Sequence, residues 1–232
     1  MRTKLGVLVP SGNSTMEPEL YKMAPEGVSM HFARLKLAAD IEEEIMKMTE
    51  NMEQEVEKLA DADVDVIAFG CTGGSLIMGK GYDFKLIKRI KAVSNTPATS
   101  TSTAVINALK MMDIKKVSLV SPYPTWLNKK VVRFLEAHDF VVPATKCLDL
   151  ETGMEKVPLE EVFQLAKSVD RPEAEGIFIS CTDFPSIDII SNLEEDLGKP
   201  VISSNIATLW DMLRIVKRKD ALSRWGRLFS FL

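Results

Sequence analysis

A chain of 232 residues is long enough for one large domain or two small ones around a substantial core. Its 46% hydrophobic and 27% charged residues are ordinary for a globular protein, and a net charge of −4 with interspersed signs excludes a footprint for nucleic acid or an anionic membrane surface. No run approaches the roughly 18 uninterrupted apolar residues of a membrane span. Residues 1–5 lead straight into strand-like sequence, which leaves no room for a signal peptide. Three cysteines are an odd, sparse set, unlike a secreted disulfide framework, and a cytoplasmic protein is expected.

Strand-like and helix-like segments alternate along the chain. Residues 5–10 read as a buried strand, followed by the polar turn Ser11-Gly12-Asn13-Ser14-Thr15 and a short helix over 17–23. Residues 29–35 alternate as a second strand. Ile45, Met48, Met52, Val56 and Leu59 recur at three- and four-residue spacing, which predicts one long amphipathic helix over 41–60. A third strand over 64–69 runs into Cys71. Then come a helix over 83–93, an extended stretch at 98–100 and a helix over 102–111. Residues 117–120 form a strand that ends in Ser121-Pro122-Tyr123-Pro124, with a helix over 128–138 and a short strand at 140–142. A helix over 158–168 opens on Pro158, where the missing N–H does no harm. Residues 177–180 are the strand that carries Cys181; a helix over 187–197, an extended 200–203 and a helix over 207–216 complete the pattern.

Strands separated by helices of this length make βαβ units and parallel sheets, so the fold class is α/β. The two halves also match loosely. Strand, Cys71-Thr72, helix, Thr96-Pro97, strand and a Ser/Thr-rich helix entry are answered by strand, Cys181-Thr182, helix, Lys199-Pro200, strand and Ser203-Ser204-Asn205. Two Rossmann-like lobes related by a pseudo-twofold follow, with the site in the cleft between them. Residues 1–99 plus 207–232 are assigned to the first lobe and 100–206 to the second.

The carboxyl ends of parallel strands are where α/β proteins place chemistry. A single strand-end cysteine is most simply inert core. Two, each followed by Thr at a strand-to-helix turn, point instead to a pair facing one another across the cleft, able to act on both faces of one small carbon centre. Backbone N–H groups at such turns stabilise a thiolate and bind an anion. Cys147 has no such context and reads as structural. Neither Cys71 nor Cys181 has a partner at metal-ligand spacing, and the only histidines, His31 and His138, stand beside no nucleophile turn; neither a zinc site nor a Cys-His hydrolase is expected. The turn at 11–15 lacks both a dinucleotide glycine pattern and a phosphate-loop Lys. Its position aims Ser11 and the Asn13 amide at the crevice, and Tyr123, held between two prolines, offers a hydroxyl to a substrate carboxylate. Thr72, Gly73 and Thr182 supply part of a neutral cradle suited to a small carboxylate.

With Val9-Pro10-Ser11-Gly12-Asn13-Ser14-Thr15-Met16-Glu17, Gly70-Cys71-Thr72, Ser121-Pro122-Tyr123, Ser180-Cys181-Thr182 and Trp225-Gly226-Arg227-Leu228 in this order, the chain resembles the aspartate/glutamate racemase superfamily. Within it, the resemblance is to the maleate cis-trans isomerase and arylmalonate decarboxylase branch. It implies no cofactor, no metal, a small carboxylate substrate and a homodimer or higher homo-oligomer. Decarboxylases of this kind keep a cysteine only in the second lobe, so two cysteines favour the isomerase. Carried over, Cys71 is the nucleophile, Cys181 the acid/base, and Asn13 and Tyr123 bind substrate. The substrate-binding asparagine that such isomerases carry in the second lobe is missing from Cys147-Leu148-Asp149-Leu150-Glu151-Thr152-Gly153-Met154, whose acids would repel a dicarboxylate if they faced the site. Three alternatives remain: an amino-acid or hydantoin racemase using both thiols as bases, an arylmalonate-type decarboxylase, and a non-catalytic small-acid-binding protein.

Overall fold

The computed structural model describes residues 2–232. Two four-stranded, wholly parallel sheets carry the chain. The first has the order β2-β1-β3-β4, from β1 (Thr3–Pro10), β2 (Val28–Leu35), β3 (Val66–Phe69) and β4 (Ala98–Ser100). The second has the order β6-β5-β7-β8, from β5 (Val117–Ser121), β6 (Thr145–Cys147), β7 (Gly176–Ile179) and β8 (Val201–Ser203). The second order is the first shifted by four strands, so the sequence duplication is a duplication of topology. β3, β5 and β7 are buried along their whole length, as continuous apolar runs in parallel sheets covered by helices should be.

In each sheet the chain winds one way from the first strand and the other way from the third. The crevice at the carboxyl ends of β1 and β3, and of β5 and β7, is therefore a topological switch point. Four turns open onto these crevices: Gly12-Asn13 after β1, Cys71 after β3, Tyr123 after β5 and Cys181 after β7.

Most helices lie where hydrophobic spacing puts them: α1 (Met16–Met23), α5 (Tyr82–Ser94), α6 (Thr101–Met111), α7 (Thr125–Glu136), α8 (Leu159–Ser168), α9 (Ile190–Leu197) and α10 (Ser204–Ile215). The long helix expected over 41–60 is two, α2 (Glu42–Lys47) and α3 (Met52–Asp61). The break falls at Thr49, whose carbonyl accepts from the Arg89 guanidinium (2.6 Å) and whose hydroxyl meets that of Tyr82 (3.2 Å). That carbonyl is taken by a side chain, while Met48 and Met52 on either side stay buried. Hydrophobic spacing thus survives the break and hides it.

Residues 140–142 do not form the expected strand. Val141 makes one isolated bridge to Lys116, and Pro143, which has no N–H, interrupts the ladder before it resumes as β6. Cys147, at the end of β6, is half-buried and reaches only the Thr125 hydroxyl (3.9 Å).

The lobes meet through α6 and α10, which begin in the same way. Ser100 Oγ accepts from Thr103 N, and Ser203 Oγ accepts from Ile206 N. Small polar groups line their contact: Thr101 and Thr208 pair at 3.0 Å, and Asp211 accepts from Thr99 (2.6 Å) and Asn107 (3.2 Å). Every residue of α10 from Ser204 to Leu213 is buried. The tail beyond it folds as short 3-10 turns, Ser223–Trp225 and Arg227–Phe231, and docks on α9 through Arg227, whose N–H and side chain reach Glu194.

Candidate active site

Gly70 ends the first-lobe strand because nothing larger fits. A Cβ there would lie 2.7 Å from Val7 Cγ1, 2.9 Å from Met16 Sδ and 3.0 Å from the Leu8 carbonyl. The chain then turns at Cys71 into α4 (Thr72–Leu76), and Gly74 N donates to Cys71 Sγ (3.3 Å). Gly74 has no room for a side chain either, since a Cβ would strike the Met48 methyl. The second-lobe turn reaches the same result by another backbone path. Cys181 has φ of +123°, well outside the +51° to +69° of the other non-glycine residues with positive φ. Its Sγ accepts from Asp183 N (3.3 Å) and its N–H donates to Ser204 Oγ (3.1 Å).

A backbone held at such an angle stores about 1–3 kcal/mol of strain, and such strain collects at functional sites. Cys181→Gly is therefore expected to be more stable than Cys181→Ala by about 1 kcal/mol, because only glycine adopts this conformation freely. Denaturant unfolding of the two variants measures the difference. Equal stabilities would show that the turn is unstrained.

Both thiols line one cavity of about 230 Å³ between the lobes. Asn13, Tyr123 and Thr182 join them on its wall, as the sequence predicts. Asn13 Oδ1 accepts from Thr15 N (3.1 Å) and Met16 N (2.9 Å), capping α1, while its Nδ2 donates to Thr182 Oγ1 (3.0 Å). One amide hydrogen is left for a ligand. Thr182 in turn donates to the Gly70 carbonyl (3.3 Å), so an Asn–Thr link ties the first turn of one lobe to the cysteine turns of both. The Tyr123 hydroxyl sits beside Thr72 and Cys181; burial drives its pKa well up, so it stays a neutral donor.

Ser11, Thr72 and Gly73 lie off this wall. Ser11 Oγ is engaged with Leu37, donating to its carbonyl and accepting from its N–H (3.1 Å each). A Cβ on Gly73 would meet Leu127, so that residue packs against α7. Thr72 has an indirect part: its hydroxyl donates to Ser204 Oγ (2.8 Å), which holds the Cys181 N–H, so the residue after one cysteine steadies the backbone of the other. No local pattern announces such a link, because Ser204 arrives from 132 residues away. His31 pairs with Ser29 and His138 with the Phe134 carbonyl, and neither lines the cavity. Among the described residues no group of His, Cys, Asp and Glu side chains is arranged to hold a metal.

Sequence reasoning missed Asp40, Asp183 and Glu155, and raised Glu151 only as an acid that would repel a dicarboxylate if it faced the site. Asp40 lines the cavity, and burial first, then the nearby Asp183, pushes its pKa up to about 7. The Asp183 carboxylate also lines it and accepts from Ser14 N (2.9 Å) and Thr15 N (3.0 Å), a second bond between lobes. Glu151, Glu155 and Lys156 come from the segment before α8; Lys156, the one cation on the wall, is paired with Glu155 at 3.6 Å. Burial, with Asp40 next, pushes the Cys71 thiol up to about 12, and the Gly74 N–H offsets only part of this. Cys181 is raised well up for the same reasons. The low thiolate pKa expected from the turn at Cys71 is thus absent: α4 is a single short turn, and desolvation outweighs it.

The family model for arylmalonate decarboxylase matches residues 5–229. The chain belongs to the arylmalonate decarboxylase family. Within this family it is 27% identical to the maleate isomerase of Geobacillus stearothermophilus, over 98% of this chain and 97% of the relative. Among solved structures, a Cys-to-Ala variant of maleate isomerase from Pseudomonas putida S16, crystallised with maleate, superposes with a TM-score of 0.95 at 26% identity, covering 99% of this chain and 98% of that one. A Cys-to-Ser variant of the Nocardia farcinica maleate cis-trans isomerase, bearing a covalent succinylcysteine intermediate, superposes with a TM-score of 0.94 at 27% identity, over 99% and 98% of the two chains.

Proposed function

We propose that this protein is a cofactor-independent cis-trans isomerase of a small unsaturated acid of the maleate type, working through Cys71 and Cys181. The observation that carries the reading is two thiols, one from each lobe, on the wall of a single small cavity. A cis alkene held between them meets a nucleophile on one side and a proton donor on the other.

Cys71 Sγ bonds to one olefinic carbon as the π pair moves to the other, which takes a proton from Cys181. The proton leaving Cys71 replaces it on Cys181, so charge and atoms balance and the intermediate is a succinyl-type thioether. With the double bond gone, the central C–C bond rotates. In the reverse step Cys181 passes its proton to the Cys71 sulfur as the C–S bond breaks and takes the one on carbon in its place, so the trans alkene leaves with both thiols restored. Buried neutral thiols suit this cycle, because no thiolate is exposed to oxidants between turnovers. Asn13 Nδ2 and the Tyr123 hydroxyl donate to the substrate carboxylate, with Thr182 holding the amide in place. A homodimer in the cytoplasm completes the proposal. Proton NMR of the purified chain with cis butenedioic acids and their derivatives tests it: appearance of trans olefinic signals is expected, and loss of a carboxyl as carbon dioxide would turn the reading to decarboxylation.

A further inference from the structure

The thiol pair explains the bond changes but not two acids on the same wall. Asp40, in the loop between β2 and α2, and Glu151, before α8, are fixed side by side by the Asp40 N–H, which donates to the Glu151 carbonyl (2.9 Å). Among the described residues no side chain or backbone N–H donates to either carboxyl, and neither is in an ion pair. The neighbouring charges are otherwise engaged: Asp183 by Ser14 and Thr15, Glu155 by Lys156, and Glu42 by Lys130. Asp40 lines the same cavity wall as Cys71, Cys181 and Tyr123, and its charge raises the pKa of all three.

A cis dicarboxylate here would bring its second anionic group against acceptors that already lack a donor, and Lys156 is too exposed to offset them. A group carrying N–H bonds would satisfy the Asp40 carboxyl, the one of the two acids that is largely desolvated, Glu151 being exposed, and a desolvated polar group left unpaired discriminates strongly against the wrong ligand. Resting on the isomerase reading above, we propose that the substrate is a cis-unsaturated half-acid: one carboxylate held by Asn13 and Tyr123 and, in place of the second, a carboxamide-type group donating its N–H to Asp40. The amide carbonyl stays conjugated with the alkene, so the thiol addition and elimination run as described.

The test compares maleamate, the monoamide, with maleate on the full chain by proton NMR between pH 6 and 8.5. At pH 8 kcat/KM for maleamate is expected to exceed that for maleate by about tenfold or more. The ratio should shrink below pH 7, where Asp40 gains a proton, ceases to repel a dianion and becomes a donor. Asp40→Asn should bring the ratio near or below one and remove Asp40's part of its pH dependence; the same series corrects for ionisation of the probes themselves, and Asp40→Ala replaces it should Asn fail to fold. Faster turnover of maleate than of maleamate by the wild type at pH 8 overturns the substrate assignment and leaves the isomerase standing. An unchanged ratio in the Asp40 variants also overturns it. Turnover of neither probe removes both.

Discussion

Cys71→Ser is expected to lower turnover by about 10⁴-fold, because a hydroxyl at this site is far less nucleophilic than a thiol and no histidine lines the cavity to activate it. The fold should survive, since serine Oγ can take the hydrogen bond that Gly74 N gives to sulfur. Cys181→Ser should fail differently. Addition to Cys71 remains possible, but proton delivery and recovery lose about 10²–10⁴-fold. Intact-protein mass spectrometry after incubation with substrate should therefore find an adduct on Cys71 in Cys181→Ser and none in Cys71→Ser. The opposite pattern would exchange the two roles. Activity within tenfold of wild type in either variant would remove the cysteine pair from the mechanism altogether.

Glu19→Ala is expected to cost about 3–4 kcal/mol of stability. Glu19 projects from α1 into the second lobe, where its carboxylate accepts from Ser186 N (2.8 Å), Ile187 N (3.2 Å) and Asn205 Nδ2 (2.6 Å), all buried. Truncation strands three donors away from water, at about 1–3 kcal/mol for each one that finds no new partner. For a chain of this length that is a fall in Tm of about 10 °C. Thermal unfolding measures it, and a fall below about 2 °C would show that the contact holds nothing together.

The same residue makes a pH prediction. Burial raises the Glu19 pKa above its ordinary value, as it does for Asp40, Asp183 and Glu194. A carboxyl with a raised folded pKa binds more protons folded than unfolded, so its contribution is lost as pH climbs from the unfolded value through the folded one. Tm is expected to rise as pH is lowered from 8 toward 5.5, the raised carboxyls together outweighing His31, whose lowered pKa works the other way over the same interval. The lowered carboxyls Glu43, Glu53, Asp149 and Glu175 lose their contributions only below their ordinary range and do not oppose this. A Tm that falls steadily over that interval would contradict the burial of these groups.

Much of the architecture is written in short-range pattern. β3 and β7 are short buried runs, each followed by a small residue and then Cys-Thr, and that repetition alone reveals both the duplication and the reactive pair. Where side chains distant in sequence compete for the backbone, the pattern fails. The Arg89 guanidinium splits a helix whose apolar spacing runs on undisturbed, and Pro143 moves an edge strand that β-branched residues place too early. Asp40 was invisible for a related reason: one acid before an acidic helix reads as a solvated turn until the fold lays it against Glu151 and the thiols. The Thr72 hydroxyl is held by Ser204 from the other half of the chain, a link that no local pattern signals.

The matched strand orders carry an evolutionary consequence. Each sheet presents its own reactive tip to the shared guest, so a single codon change at position 71 or 181 alters what one side experiences and spares the other. Reactions needing two opposed thiols and reactions needing one are neighbours on such a scaffold, separated by one substitution at the end of one strand.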